Sequence, residues 1–208
     1  NQRFASSTNR SPKFAQPGES GRTLTLKLEL KLLADVGIIG LPNAGKSTLI
    51  SVISSARPKI DNYPFTTLRP NLGVVKTSWG EPYAVADIPG LIEGAHQGAG
   101  LGIRFLRHVE RTRLLVLLID AAAIDPDDPL KDYNTINREI ALYSEALSRR
   151  TQVVVLNKLD LPEARKAAER FMAAAGPVAV LLISAATGKG VNDLKQKLAE
   201  LLNRSESD

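Results

Sequence analysis

The chain contains no cysteine, which excludes disulfide bridges and thiolate metal centres and accords with a reducing compartment. It also lacks a long hydrophobic run. No wholly apolar segment outlasts Leu114 to Ile119, far short of the roughly 20 residues needed to cross a bilayer. The opening residues have no basic-then-apolar leader, so no secretory signal and no membrane association are expected. Histidine is scarce: His96 falls in a glycine-rich loop and His108 on a helix surface, and the two form no acid–base pair. What remains is a chain of 208 residues, enough for one α/β domain and roughly 30 residues besides.

The net charge of +5 is unevenly placed. Residues 1–34 hold six basic side chains (Arg3, Arg10, Lys13, Arg22, Lys27, Lys31) against Glu19 and Glu29, which accounts for +4 of it. A basic segment on a near-neutral body has two readings, a footprint for nucleic-acid phosphates or a solvated tail. Charge alone leaves both open.

Residues 1–22 are rich in Ser, Asn, Pro and Gly without periodicity and predict irregular chain. "TLTLKLELKL" then alternates strictly, with Leu24, Leu26, Leu28, Leu30 and Leu32 on one face, the pattern of a half-buried strand. A junction is placed near Leu33. From Ala34 short apolar strands alternate with helices, the signature of a mostly parallel sheet covered on both faces. The expected strands are "DVGIIG", "LGVVKT", "PYAVADI", "LLVLLID", "TQVVVLN" and "VAVLLIS". Helices are expected over Lys46–Ser54, Gly102–Arg111, Leu130–Leu147, Pro162–Ala174 and Val191–Leu202, with Asp128 and Pro129 as N-cap and first-turn residues of the third.

"GLPNAGKST", Gly40 to Thr48, fits the phosphate-loop pattern GxxxxGK[ST] between a strand and a helix. In that setting the backbone N–H groups of Asn43, Ala44, Gly45, Lys46, Ser47 and Thr48 wrap a phosphate at a helix N-terminus. Lys46 would span the β- and γ-phosphates and the Ser47 hydroxyl would reach Mg²⁺. The DxxG at Asp87 to Gly90 closes an expected strand; Asp87 would hold Mg²⁺, and the Gly90 N–H would meet the γ-phosphate. In "YPFTTLRPN" one threonine should reach the same ion, and spacing to Asp87 favours Thr67 over Thr66.

"NKLD", Asn157 to Asp160, follows another strand, where carboxyl-end side chains face the ligand crevice. Asp160 can accept from both the N1–H and the exocyclic amine of guanine, donors that adenine lacks, so Asn157, Lys158 and Asp160 are read as the base site. "SAA", Ser184, Ala185 and Ala186, would close over the base after the last strand. The ordered set of motifs predicts a P-loop NTPase of the Ras-like G-domain type: an α/β fold with a six-stranded mostly parallel sheet, helices on both faces and a short β segment in front. The expected ligands are GTP or GDP with Mg²⁺.

These residues resemble the Obg (CgtA) family of ribosome-associated GTPases. The resemblance is carried by "LKLLADVGIIGLPNAGKSTL", "YPFTTLRPNLG" and above all "DIPGLIEGAHQGAGLGIRFLRHVERT", and it runs to about Leu202. "RFASSTNRSPKFAQPGESG" is similar to the end of the glycine-rich domain preceding the G domain in that family. Residues 1–33 are therefore expected to be the tail of that domain, 34–204 the G domain and 205–208 a tail. The resemblance implies a cytoplasmic, monomeric GTPase acting in assembly of the large ribosomal subunit and responding to guanine nucleotides, including ppGpp. It also implies that ribosome contact is made mainly through the domain of which only the end is present. A nucleotide sensor for GDP or ppGpp with incidental turnover is the alternative.

One residue is missing from the expected machinery. After the DxxG comes Leu91, where a Ras-like enzyme has the glutamine that orients water. GTPases with a similar "PNAGKS" loop often use K⁺, bound by the asparagine carbonyl oxygen and phosphate oxygens. By that resemblance Asn43 is a candidate K⁺ ligand. Catalysis is accordingly expected to rest on Lys46, Asn43, Thr67 and Gly90.

Overall fold

The computed structural model describes residues 7, 8, 10, 18–21, 23–25, 34–55, 59–60, 71–78, 80–88 and 112–204. Residues 26–32 of the expected leucine strand, the helix Gly102–Arg111, and Thr66, Thr67, Gly90, Leu91, His96 and His108 lie outside them. Leu24, expected on a buried face, is 75% exposed and belongs to no strand or helix.

The run from Leu114 to Asp120 explains the fold. As a strand it turns successive side chains to opposite faces, and every one from Leu114 to Ile119 is buried. A strand apolar on both faces must lie inside a sheet covered on both sides. It is β5 of a sheet built from β1 (Val36–Ile39), β2 (Lys59–Ile60), β3 (Asn71–Val75), β4 (Tyr83–Asp87), β5, β6 (Thr151–Asn157) and β7 (Val180–Leu182). The strand order is β2-β3-β4-β1-β5-β6-β7. From β4 to β7 every pairing is parallel, while β2 and β3 run antiparallel at one edge. All six strands expected from the sequence are present. The seventh, Lys59–Ile60, is too short for any period-2 pattern to reveal it.

Leu114, Val116 and Leu118 face one core with α1 (Lys46–Ile53) and α5 (Val191–Arg204). Leu115, Leu117 and Ile119 face the other with α2 (Lys131–Tyr143), α3 (Glu145–Ser148) and α4 (Ala164–Ala175). Each helix presents a buried stripe at helical spacing: Leu194, Leu198 and Leu202 in α5, Ile136 and Ile140 in α2, Ala164, Ala168 and Phe171 in α4. Each fully buried Leu or Ile contributes about 1.5–3 kcal/mol. An edge-to-face pair of Tyr133 and Phe171, centroids 6.0 Å apart, joins α2 to α4.

The expected helix Leu130–Leu147 is corrected in two places. It starts at Lys131, whose N–H bonds the backbone carbonyl of Asp128 in a turn, so Asp128 supplies no side-chain cap. It also breaks at Ser144, which is extended (φ −155°, ψ 120°) and accepts the Leu147 N–H with its own hydroxyl. A serine favours an N-cap over a helix interior, and restarting the helix there buries Leu147 completely.

The sheet gathers the functional ends. Ile38 lies opposite Asp87, and Asp120 opposite Asn157, so the carboxyl ends of β1, β4, β5 and β6 share one rim. β1 lies between β4 and β5, and the chain leaves it first toward one edge and later toward the other. A crevice outside the strand ends at such a reversal is the usual ligand site of open α/β sheets.

Candidate functional site

The loop after β1 is shaped by two left-handed residues, Asn43 (φ 63°) and Gly45 (φ 94°). Asparagine tolerates that region better than most residues. Glycine is required at Gly45, where a Cβ would also lie 2.5 Å from the Asn157 amide nitrogen, and at Gly40, where it would lie 2.4 Å from the Leu118 carbonyl oxygen. Ala44, buried between the turns, donates its N–H to the Leu41 carbonyl at 3.2 Å. The first helical bond of α1 runs from the Leu49 N–H to Gly45 at 2.9 Å, so the N–H groups of Lys46, Ser47 and Thr48 have no acceptor within the helix. They lie at its positive end and suit an anion. Lys46 folds back over the loop, donating to the carbonyls of Gly40 (2.9 Å) and Leu41 (3.2 Å).

Asp87 ends β4 beside this loop and is only 7% exposed. Its Oδ1 is the one buried side-chain polar atom among the described residues without a hydrogen-bond partner. Burial pushes its carboxyl above the usual range, while nearby Lys46 and a hydrogen bond from the Asn71 side chain pull it back. A buried carboxylate oxygen without a donor is costly, and a cation is what would satisfy it. Among the described residues no three His, Cys, Asp or Glu side chains cluster to hold a metal. One carboxylate with a nearby hydroxyl, that of Ser47, suits Mg²⁺, which usually takes one or two protein ligands and completes its shell with phosphate and water.

The third wall comes from β6 and β7. Asn157 is buried, and both ends of its amide bind protein: Nδ2 donates to the Ala44 carbonyl and Oδ1 accepts from the Ala185 N–H, each at 2.9 Å. Sequence spacing placed Asn157 among the base-binding residues; its geometry is that of a clasp joining the phosphate loop, the end of β6 and the loop after β7. Lys158, in the left-handed region at φ 67°, pairs with Asp120 at 2.5 Å. Asp160 is exposed, accepts the Ser184 hydroxyl at 2.6 Å through Oδ1, and lines a cavity of about 400 Å³ together with Leu159, Pro162, Thr187 and Lys189. Ser184 Oγ in turn accepts from the Thr187 N–H at 3.1 Å. Ala186 is exposed beside Ala185.

The structure thus brings Asn43 to Thr48, Asp87, Asn157, Lys158, Asp160 and Ser184 to Ala186 to one rim. It adds two residues that spacing did not select. Asp120 was legible as an acid at the end of a buried strand; Asn71 carried no local signal. Thr67 and Gly90 lie outside the described residues. No described helix is long and apolar enough to cross a membrane.

The family model described as "50S ribosome-binding GTPase" matches residues 35–158. GTPase Obg of Desulfosudis oleivorans is 66% identical over 97% of this chain, and that of Desulforapulum autotrophicum 61% identical over 96%. This chain covers 61% and 58% of those two proteins, or about three-fifths of their length. The G domain of the T. maritima FeoB iron transporter superposes with a TM-score of 0.55 at 22% identity, covering 80% of this chain and 96% of that one. A putative nucleolar GTP-binding protein 1 from Plasmodium falciparum gives 0.57 at 18%, covering 83% and 87%. These distant likenesses establish the α/β P-loop fold. The sequence relationship goes further: this chain belongs to the 50S ribosome-binding GTPase family, in its Obg branch.

Proposed function

We propose that residues 34–204 form a G domain that binds GTP and GDP with Mg²⁺, hydrolyses GTP slowly and reports its nucleotide state during assembly of the large ribosomal subunit in the cytoplasm. The observation that carries the metal and phosphate reading is the unpartnered Asp87 Oδ1, buried near Lys46 and near Asn71, which donates to Ser47. The guanine reading is supported by Asp160, whose one oxygen is fixed by Ser184. Family membership and the relatives' names support the ribosomal role.

Lys46 would leave the two carbonyls it now holds and take a phosphate oxygen, exchanging neutral acceptors for a charged one. The helix N–H groups from Lys46 to Thr48 would fix the β-phosphate, and Ser47 and Asp87 would hold the metal, with Thr67 joining them when a γ-phosphate is present. Mg²⁺ held there would supply neutralisation of the phosphate charge. Gly90 would donate its N–H to the γ-phosphate. Leu91 follows it and can orient no water, so intrinsic turnover should be slow, on the order of 10⁻⁴ s⁻¹ as for unassisted Ras. Asn43, exposed at the mouth of the loop, offers a carbonyl oxygen to a K⁺ ion that would add charge stabilisation there.

Single-turnover GTP hydrolysis in matched KCl and NaCl tests this. Wild type should be faster in KCl, and Asn43→Ala should lose the difference. Equal rates in both salts would remove K⁺ from the mechanism and assign the missing charge to an external partner.

A further inference from the structure

The start of β3 holds a side chain that the machinery above does not use. Asn71 follows directly on the segment carrying Thr66 and Thr67, and β3 pairs antiparallel with β4, Leu72 opposite Ala86. This register brings Asn71 alongside the carboxyl end of β4. Its Nδ2 donates to Ser47 Oγ at 3.2 Å, and the register that sets Leu72 against Ala86 leaves its side chain near enough to favour the charged form of the Asp87 carboxyl. A carboxylate only accepts, so what Asn71 can offer it is the second hydrogen of the same amide nitrogen.

We infer that Asn71 is a positioning residue for the metal centre, its amide holding the Ser47 hydroxyl and the Asp87 carboxylate together so that their remaining lone pairs converge on one cation. The reading rests on the metal assignment proposed above. It follows from counting donors and acceptors. A hydroxyl oxygen has two lone pairs and an amide nitrogen two hydrogens. The amide spends one hydrogen on Ser47 and has the other to offer the Asp87 carboxylate, leaving a Ser47 lone pair and Asp87 Oδ1, the oxygen without a partner. Without the amide, Ser47 at the exposed start of α1 is free to change rotamer, and nothing from β3 holds it toward Asp87.

The test is release of a fluorescent GDP analogue from this chain across a Mg²⁺ titration, with a parallel series in EDTA. Asn71→Ala should raise the Mg²⁺ concentration needed for half-maximal slowing of release by at least about tenfold, while affinity in EDTA stays within about twofold of wild type. Asn71→Thr suits a strand and keeps a single donor, which cannot serve both partners, so it should shift in the same direction. An unchanged midpoint would overturn the inference. A lowered midpoint would too, because the amide would then compete with the cation. Equal loss of affinity with and without Mg²⁺ would show a merely structural role and overturn it as well. Wild-type release indifferent to Mg²⁺ would instead refute the metal assignment itself.

Discussion

On the function proposed above, a single carboxylate would decide which base this site accepts. Asp160 keeps one oxygen on Ser184 and lines a cavity, a carboxylate that would reward two adjacent N–H donors on a ligand. Asp160→Asn exchanges an acceptor for a donor and should lower the preference for GTP over XTP by at least about 100-fold in a competition assay, since a ligand donor facing another donor loses its bond. Unchanged preference would remove Asp160 from base recognition. The motif itself was legible, because strand, NKLD and spacing are local features. The role of Asn157 was not. Its two bonds go to Ala44 and Ala185, 113 and 28 residues away, and no local pattern encodes a contact at such separation. Asn71 escaped notice for the same reason: it meets Ser47 across 24 residues, and only the β3–β4 register brings it near Asp87.

At the scale of elements, periodicity and buried runs found the long features and missed the short ones. β5 and α5 were read correctly because an unbroken apolar run and an i, i+4, i+8 leucine stripe each have one stable use. β2, of two residues, was not visible because its partner strand lies elsewhere, and the Ser144 break was not because a single serine cap leaves the helical periodicity around it unbroken. α4 depends on a single large anchor. Phe171 is fully buried among the residues of α2, β5 and β6, with Tyr133 edge-on to it. Phe171→Ala should cost about 3–5 kcal/mol in urea unfolding and loosen α4 against α2. A loss under about 1 kcal/mol would mean that this face repacks around the cavity, contrary to the density expected of a protein core.

For the whole molecule, ligand and fold should be linked. A group that binds only the folded state stabilises it by mass action, about 2.7 kcal/mol at one hundred times the dissociation constant. For a chain of this size that is a rise in melting temperature of roughly 5–10 °C. GDP with Mg²⁺ should produce it, and EDTA should reverse much of it, because Asp87 then faces the nucleotide without its cation. GDP that stabilises equally in EDTA and in Mg²⁺ would argue against Asp87 as a ligand.

The clasp at Asn157 has a consequence for how the crevice opens. One amide ties the phosphate loop to the base-side loops, so those two walls form a single jaw, and a ligand cannot escape by their parting. Release is then expected from the opposite side, where β3 meets the loop through Asn71. Base and phosphates are then gripped by one rigid surface, so weakening either grip loosens the other. Damage to Asn157 should register at both ends of the nucleotide at once.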